Sequence, residues 1–158
     1  MTATNIIADY KETQEKAARI MKWLPDYIKT FNNQKRFDHL FNKHVNVSDE
    51  AMKKRAIQEK KSVSSFLGNE DDILQLMTET LLDSAEEIAE YLADPVSEQE
   101  PWEIWADIPS HIGGIMFKYG RGHNWNDGPL VCDKFAIIIA KKRGTNGFYI
   151  KSCYPIDI

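Results

Sequence analysis

Cysteine is scarce in this chain of 158 residues, with only Cys132 and Cys153. That excludes a disulfide framework and a cysteine-only zinc site, both of which need more thiols. No apolar run approaches the roughly 18 residues that cross a bilayer, so stable membrane insertion is not expected. Met1 to Tyr10 has neither a basic start nor an apolar stretch behind it, and it does not read as a signal peptide. The most informative absence is a charge. Between Asn69 and Phe117 there is no Lys or Arg, against thirteen Asp or Glu.

The net charge of −4 therefore hides a segregation, since outside that stretch 11 acids stand against all 20 bases. A basic face can attract phosphate while an acidic face turns elsewhere. A solvated acidic helix face is the plainer alternative, and on charge alone it is preferred. Hydrophobic residues at 42% and charged residues at 28% exclude collagen-like and wholly disordered chains. The length suits one domain, which can bury about 68–70% of the surface its unfolded chain exposes.

Ile20, Trp23, Leu24, Tyr27, Ile28 and Phe31 recur at helical spacing and predict helix over 8–31, broken near Pro25. Ser48 followed by Asp49 and Glu50 is an N-cap with acids in the first turn, predicting a helix to about Lys60. Ser62 to Phe66 reads as a short extended piece. Ile73, Leu74, Met77, Leu81, Ala85, Ile88, Ala89 and Leu92 form the buried stripe of one predicted helix over 70–93, ended by Pro95.

Beyond Pro101, the segments 103–106, 113–119, 131–140 and 147–155 read as strands, with 141–146 as a hairpin loop. Helices first and strands later, without βαβ alternation, predict an α+β fold with N-terminal helices packed on a C-terminal antiparallel sheet.

The chemistry-bearing residues exclude several classes. His39, His44, His111, His123 and the cysteines form no metal-ligand spacing, and no cofactor is expected. His39 and His44, five apart, splay on a helix. If Ala140 pairs with Gly147, Cys153 lies near Lys134 and diagonally near Cys132; nothing marks either thiol as reactive. Gly120-Arg121-Gly122-His123 opens no helix, so the dinucleotide fingerprint fails.

Phosphodiester cleavage in RNA asks for less, because RNA carries its own 2′-hydroxyl nucleophile. A histidine suits the proton step, an arginine the phosphoryl oxygens, and hydroxyls or phenols can orient the phosphate. His44, Arg55, Ser152 and Tyr154 are such groups, but composition alone does not single them out.

Their setting does. Lys43-His44-Val45, Asp49-Glu50 with Arg55, Ser64-Ser65-Phe66, a long helix, and the terminal run Gly147 to Pro155 resemble the bacterial ribonuclease-A-like toxin domain. That domain forms the carboxy-terminal tip of contact-dependent growth inhibition proteins and related polymorphic toxins. The resemblance spans 38–155. It implies a kidney-shaped, ribonuclease-A-like α+β domain over 38–158, preceded by a helical extension or linker over 1–37.

By resemblance, His44 and Arg55 take the family's histidine and arginine positions. The terminal Thr-x-Tyr-Pro motif falls on Ser152, Cys153, Tyr154 and Pro155, with serine in place of threonine. The hydroxyl survives and the stiffening methyl is lost.

Each residue keeps a plainer reading: His44 as a core or capping histidine, Arg55 as a solvated helix residue, Tyr154 as strand packing. Ser65 is a substrate-side candidate better suited to supporting the site. Lys151 is a phosphate-contact candidate that strand alternation turns away from Ser152. Trp125 could stack an RNA base or fold back as a plug.

The resemblance implies a metal-independent endoribonuclease that leaves a 2′,3′-cyclic phosphate. Its substrate would be tRNA or other single-stranded RNA, and a cognate immunity protein would cover the site. A larger secreted or cell-surface carrier would deliver it into the target-cell cytoplasm. The alternative is a non-catalytic relative that binds a basic partner, or RNA without cleaving it.

Overall fold

The computed structural model describes residues 3–32, 37–95, 100–120, 128–142, 145 and 147–158, with side chains from residue 10 onward. Helix α1 (Ala3–Met21) gives way to α2 (Leu24–Lys29), with Pro25 in the first turn of α2. The missing proline N–H is harmless there, because first-turn donors have no intrahelical partner. After α3 (Asp38–His44) comes α4 (Asp49–Glu59), capped as expected: the Ser48 hydroxyl accepts from the Ala51 N–H at 3.2 Å. Lys60, at φ 53°, ends α4 in the left-handed region.

The helix expected over 70–93 is in fact two, α5 (Glu70–Asp83) and α6 (Ala85–Ala93). Ser84 leaves helical geometry between them at φ −99° and ψ 13°. Ser84-Ala85-Glu86-Glu87 has the composition of a helix start, with acids where the dipole favours them, although the serine hydroxyl makes no cap bond. The predicted stripe from Ile73 to Leu92 is buried throughout, so the break does not rotate the second helix off the core.

The strands are β1 (Val63–Leu67), β2 (Trp102–Asp107), β3 (Gly113–Phe117), β4 (Leu130–Val131), β5 (Lys134–Lys141) and β6 (Phe148–Ile156). Among the described residues they form two antiparallel three-stranded sheets, ordered β1-β3-β4 and β2-β5-β6, where one sheet was expected. The predicted strand over 131–140 is cut at Cys132–Asp133, where the chain leaves one sheet for the other. The Cys132 N–H still bonds Gly114 O at 2.8 Å, while Asp133 O accepts from Ile108 N–H at 2.8 Å. Gly114 sits at this junction. A Cβ there would lie 2.7 Å from Ile108 Cδ1 and 3.2 Å from Cys132 O.

The main core joins the helices to the inner face of β2-β5-β6. Ile20, Leu24, Ile28, Met77, Leu81 and Ile88 meet Phe135, Ile137 and Phe148 there, each worth roughly 1.5–3 kcal/mol of apolar burial. Tyr27 locks α2 to the sheet by donating to Phe148 O at 2.7 Å. A smaller cluster of Met52, Ala56, Val63 and Phe117 seats α4 on β1 and β3. No helix among the described residues is long and apolar enough to cross a membrane.

Candidate active site

His44 is the last residue of α3, and β1 determines its orientation. Its Nδ1 lies 3.1 Å from Ser64 O. A carbonyl can only accept, so Nδ1 carries the proton and Nε2 keeps its lone pair. Burial lowers the imidazole pKa from its ordinary 6.5; the Ser64 hydrogen bond opposes this, and Arg55, Lys43 and Lys61 lower it further. The ring is therefore a neutral base near pH 7.

The chain around His44 is fastened on both sides. Asn46, at φ 52°, bonds Gly68 in both directions: Nδ2 donates to Gly68 O at 2.8 Å, and Oδ1 accepts from Gly68 N–H at 3.0 Å. Asn is among the few side-chain residues that tolerate this backbone region. Ser65 accepts from the Val47 N–H at 3.1 Å and donates to Phe66 O. On the other side, Arg55 Nη1 donates to Lys43 O at 3.2 Å, while its Nε donates to Glu59 Oε2 at 3.0 Å. Those bonds take two of the five guanidinium N–H groups, so part of the fork remains available to an anion.

Strand β6 supplies the facing wall. Ile138 pairs with Ser152, but the next residue of β5, Ile139, pairs with Ile150. Lys151 is thus the extra residue of a β-bulge, a feature that re-aims side chains. Strict alternation turned Lys151 away from Ser152; the bulge cancels that alternation, and Lys151, Ser152 and Tyr154 all line one hollow. Tyr154 lies beside His44 with ring centroids 5.5 Å apart. Burial, then Glu103 and Cys153, raise the phenol pKa, so Tyr154 stays a protonated donor.

The hollow has a volume of about 300 Å³ and brings His44, Arg55, Ser152 and Tyr154 together with Lys43, Lys61 and Lys151. Among the described residues, four permanent cations and no carboxylate line it, so its field favours an anion. A poised base, a guanidinium edge, a hydroxyl and a neutral phenol around an anion-sized space are groups able to bind a phosphate and move protons beside it.

The remaining expected residues lie elsewhere. Ser65 is fully buried and straps the turn after His44; its neighbour Ser64 is the one at the hollow's wall. Trp125 lies outside the described residues. Ala140 pairs with Tyr149, not Gly147, and with the extra residue of the bulge at Lys151, Cys153 stands opposite Ile137 on the core side. Both thiols are buried and free; burial pushes Cys132 up to about 11 and Cys153 well above its ordinary range. Among the described residues no three His, Cys, Asp or Glu side chains gather around a possible metal position.

No protein-family model matches the chain, and no curated protein matches it. A solved structure does. One chain of the "Crystal structure of CdiA-CT/CdiI complex from Y. kristensenii 33638" is similar to this one, with a TM-score of 0.61 and 23% identity. The match covers 75% of this chain and 99% of that one. At this identity the likeness is one of fold.

Sequence reasoning missed part of the hollow. Lys43 stood inside a recognised motif without a role of its own, and Lys61 follows a left-handed residue whose conformation no pattern announced. His39 and His44, expected to splay on their helix, both line the space. The available signal for the lysines was only the basic character of the chain outside 69–117.

Proposed function

We propose that the protein is a metal-independent endoribonuclease of ribonuclease-A-like, kidney-shaped architecture, acting as a toxin in interbacterial competition. In this reading residues 38–158 form the ribonuclease domain and residues 1–37 a helical extension that shares its core. The observation that carries the reading is the convergence of His44, Arg55, Ser152 and Tyr154 on one basic hollow from α3, α4 and β6. The fold likeness to a chain of a CdiA-CT/CdiI complex supports it independently.

His44 Nε2 removes the proton of the RNA 2′-hydroxyl, whose oxygen then attacks phosphorus. The free edge of Arg55 stabilises charge on the non-bridging oxygens, and Ser152 donates to the phosphate. Tyr154, kept protonated by burial, orients the phosphate and hands its proton to the departing 5′-oxygen. The products are a 2′,3′-cyclic phosphate and a 5′-hydroxyl. General acid–base help of this kind contributes about 10²–10⁴-fold.

A larger secreted or cell-surface carrier delivers the domain into the target-cell cytoplasm. An immunity protein with an acidic face complementary to the hollow spares the producer. Purified protein incubated with RNA in EDTA tests the enzymatic core of the reading. Cleavage with cyclic-phosphate ends, abolished in His44→Ala, is expected. Activity lost to EDTA, or kept by His44→Ala, overturns it; intact RNA with salt-dependent binding would leave a non-catalytic RNA binder.

A further inference from the structure

The sheet that presents Ser152 and Tyr154 continues past them. Trp105 of β2 pairs with Ala136 of β5, which pairs with Tyr154 of β6. In the adjacent row Glu103 pairs with Ile138, and Ile138 with Ser152. Directly paired residues of antiparallel strands project to the same face. Trp105 and Glu103 therefore share the face of Tyr154 and Ser152, while Ile104, Ile137 and Cys153 take the opposite face and are buried. At 4.7–4.9 Å per strand, the backbones of Trp105 and Tyr154 stand roughly 10 Å apart.

The side chains along this row suit a planar, polar-edged occupant. Trp105 is 56% exposed, an unusual state for an indole on a regular strand, and Ala136 between the two aromatics is small and fully covered. Exposed aromatics hold bases by stacking, and every base offers a π-face to such a platform. Glu103 is exposed, and its carboxylate is close enough to help raise the Tyr154 pKa. A carboxylate repels a phosphate but accepts hydrogen bonds from exocyclic amino groups of bases. The cations line the hollow at His44, while this carboxylate and indole lie across the sheet from it.

We propose that Trp105 and Glu103 form a nucleobase subsite, with Trp105 as the stacking platform for a base flanking the scissile phosphate. This rests on the endoribonuclease reading for its orientation, and on the row Trp105–Ala136–Tyr154 for its place.

The test uses the full chain, a short single-stranded RNA, and a 2′-O-methyl oligonucleotide that cannot be cleaved. Trp105→Ala is expected to raise KM for RNA, and Kd for the 2′-O-methyl strand, about tenfold with little change in kcat. Trp105→Phe should recover most of both. Removing the single flanking base from the oligonucleotide should abolish the difference between wild type and Trp105→Ala. Unchanged melting temperature in the variants verifies that the fold is intact.

If Trp105→Ala leaves KM and Kd unchanged, the subsite is overturned, and the exposed indole is left as a protein-contact residue. If wild type fails to cleave RNA but Trp105→Ala still weakens 2′-O-methyl binding, the catalytic reading fails while the subsite stands.

Discussion

His44 Nδ1 and the backbone oxygen of Ser64, twenty residues apart in the chain, are joined at 3.1 Å. This bond selects the imidazole tautomer with its lone pair on Nε2, so a backbone carbonyl of β1 decides which ring nitrogen of the histidine can accept a proton. The nearby straps through Asn46, Ser65 and Arg55 hold the same turn in place.

Because burial lowers the His44 pKa from 6.5, the acid limb of kcat/KM should have its midpoint below 6.5. A base works when deprotonated, so activity rises as pH climbs through that midpoint. Stability carries the same sign. The unfolded chain takes up this proton first as pH falls below 6.5, so the native state loses stability from there downward. His44→Gln should abolish cleavage and reduce that acid-side loss, measured by melting temperature against pH.

Arg55→Lys should keep a positive charge yet cut kcat by roughly 10²-fold or more, because a point charge cannot replace a forked donor at a developing anion. The same change removes the bond to Lys43 O, so hydrogen exchange at the α3–α4 turn should speed up. Wild-type turnover in Arg55→Lys would remove the guanidinium from the mechanism.

Tyr154→Phe keeps the ring beside His44 and deletes the donor. A fall in kcat with KM and melting temperature nearly unchanged is expected, in steady-state kinetics paired with thermal unfolding. Ser152→Ala should raise KM by losing a phosphate contact worth about 1 kcal/mol or somewhat more. Ser152→Thr should keep activity, since the hydroxyl remains and the added methyl limits χ1.

Gly114→Ala tests the junction of the two sheets. The new methyl would meet Ile108 Cδ1 at 2.7 Å, Pro155 Cβ at 3.1 Å and Cys132 O at 3.2 Å. The isoleucine end can move, but the backbone oxygen cannot do so without shifting the crossover, so a loss of about 1–3 kcal/mol is expected by denaturant unfolding. An unchanged midpoint would mean the junction is looser than its contacts indicate.

Local signals were legible. The Ser48 cap, the Pro25 break and the stripe from Ile73 to Leu92 depend on residues within a turn or two of one another, and all are found in place. The Ser84 break was less visible, because a serine followed by two glutamates inside a good stripe is compatible with a continuous helix. The hairpin register was already two residues off at Ala140, which pairs with Tyr149 on the turn side, because the spacing of two strands does not reveal where their pairing begins. The bulge at Lys151 shifts it by one more.

By its own pattern the chain determined an α+β order of elements, their caps and their apolar faces, since those follow from spacing along a few neighbouring residues. It also carried the order of motifs that made His44, Arg55, Ser152 and Tyr154 worth placing. Only the tertiary structure decided that two sheets form, that Lys151 turns toward Ser152, and that Lys43, Lys61 and His39 join the same hollow. It alone set Trp105 in line with Tyr154. These outcomes depend on which strands pair and in what register. Register is set by contacts between residues dozens of positions apart, and shifting it by one residue would turn every side chain of a strand to the other face.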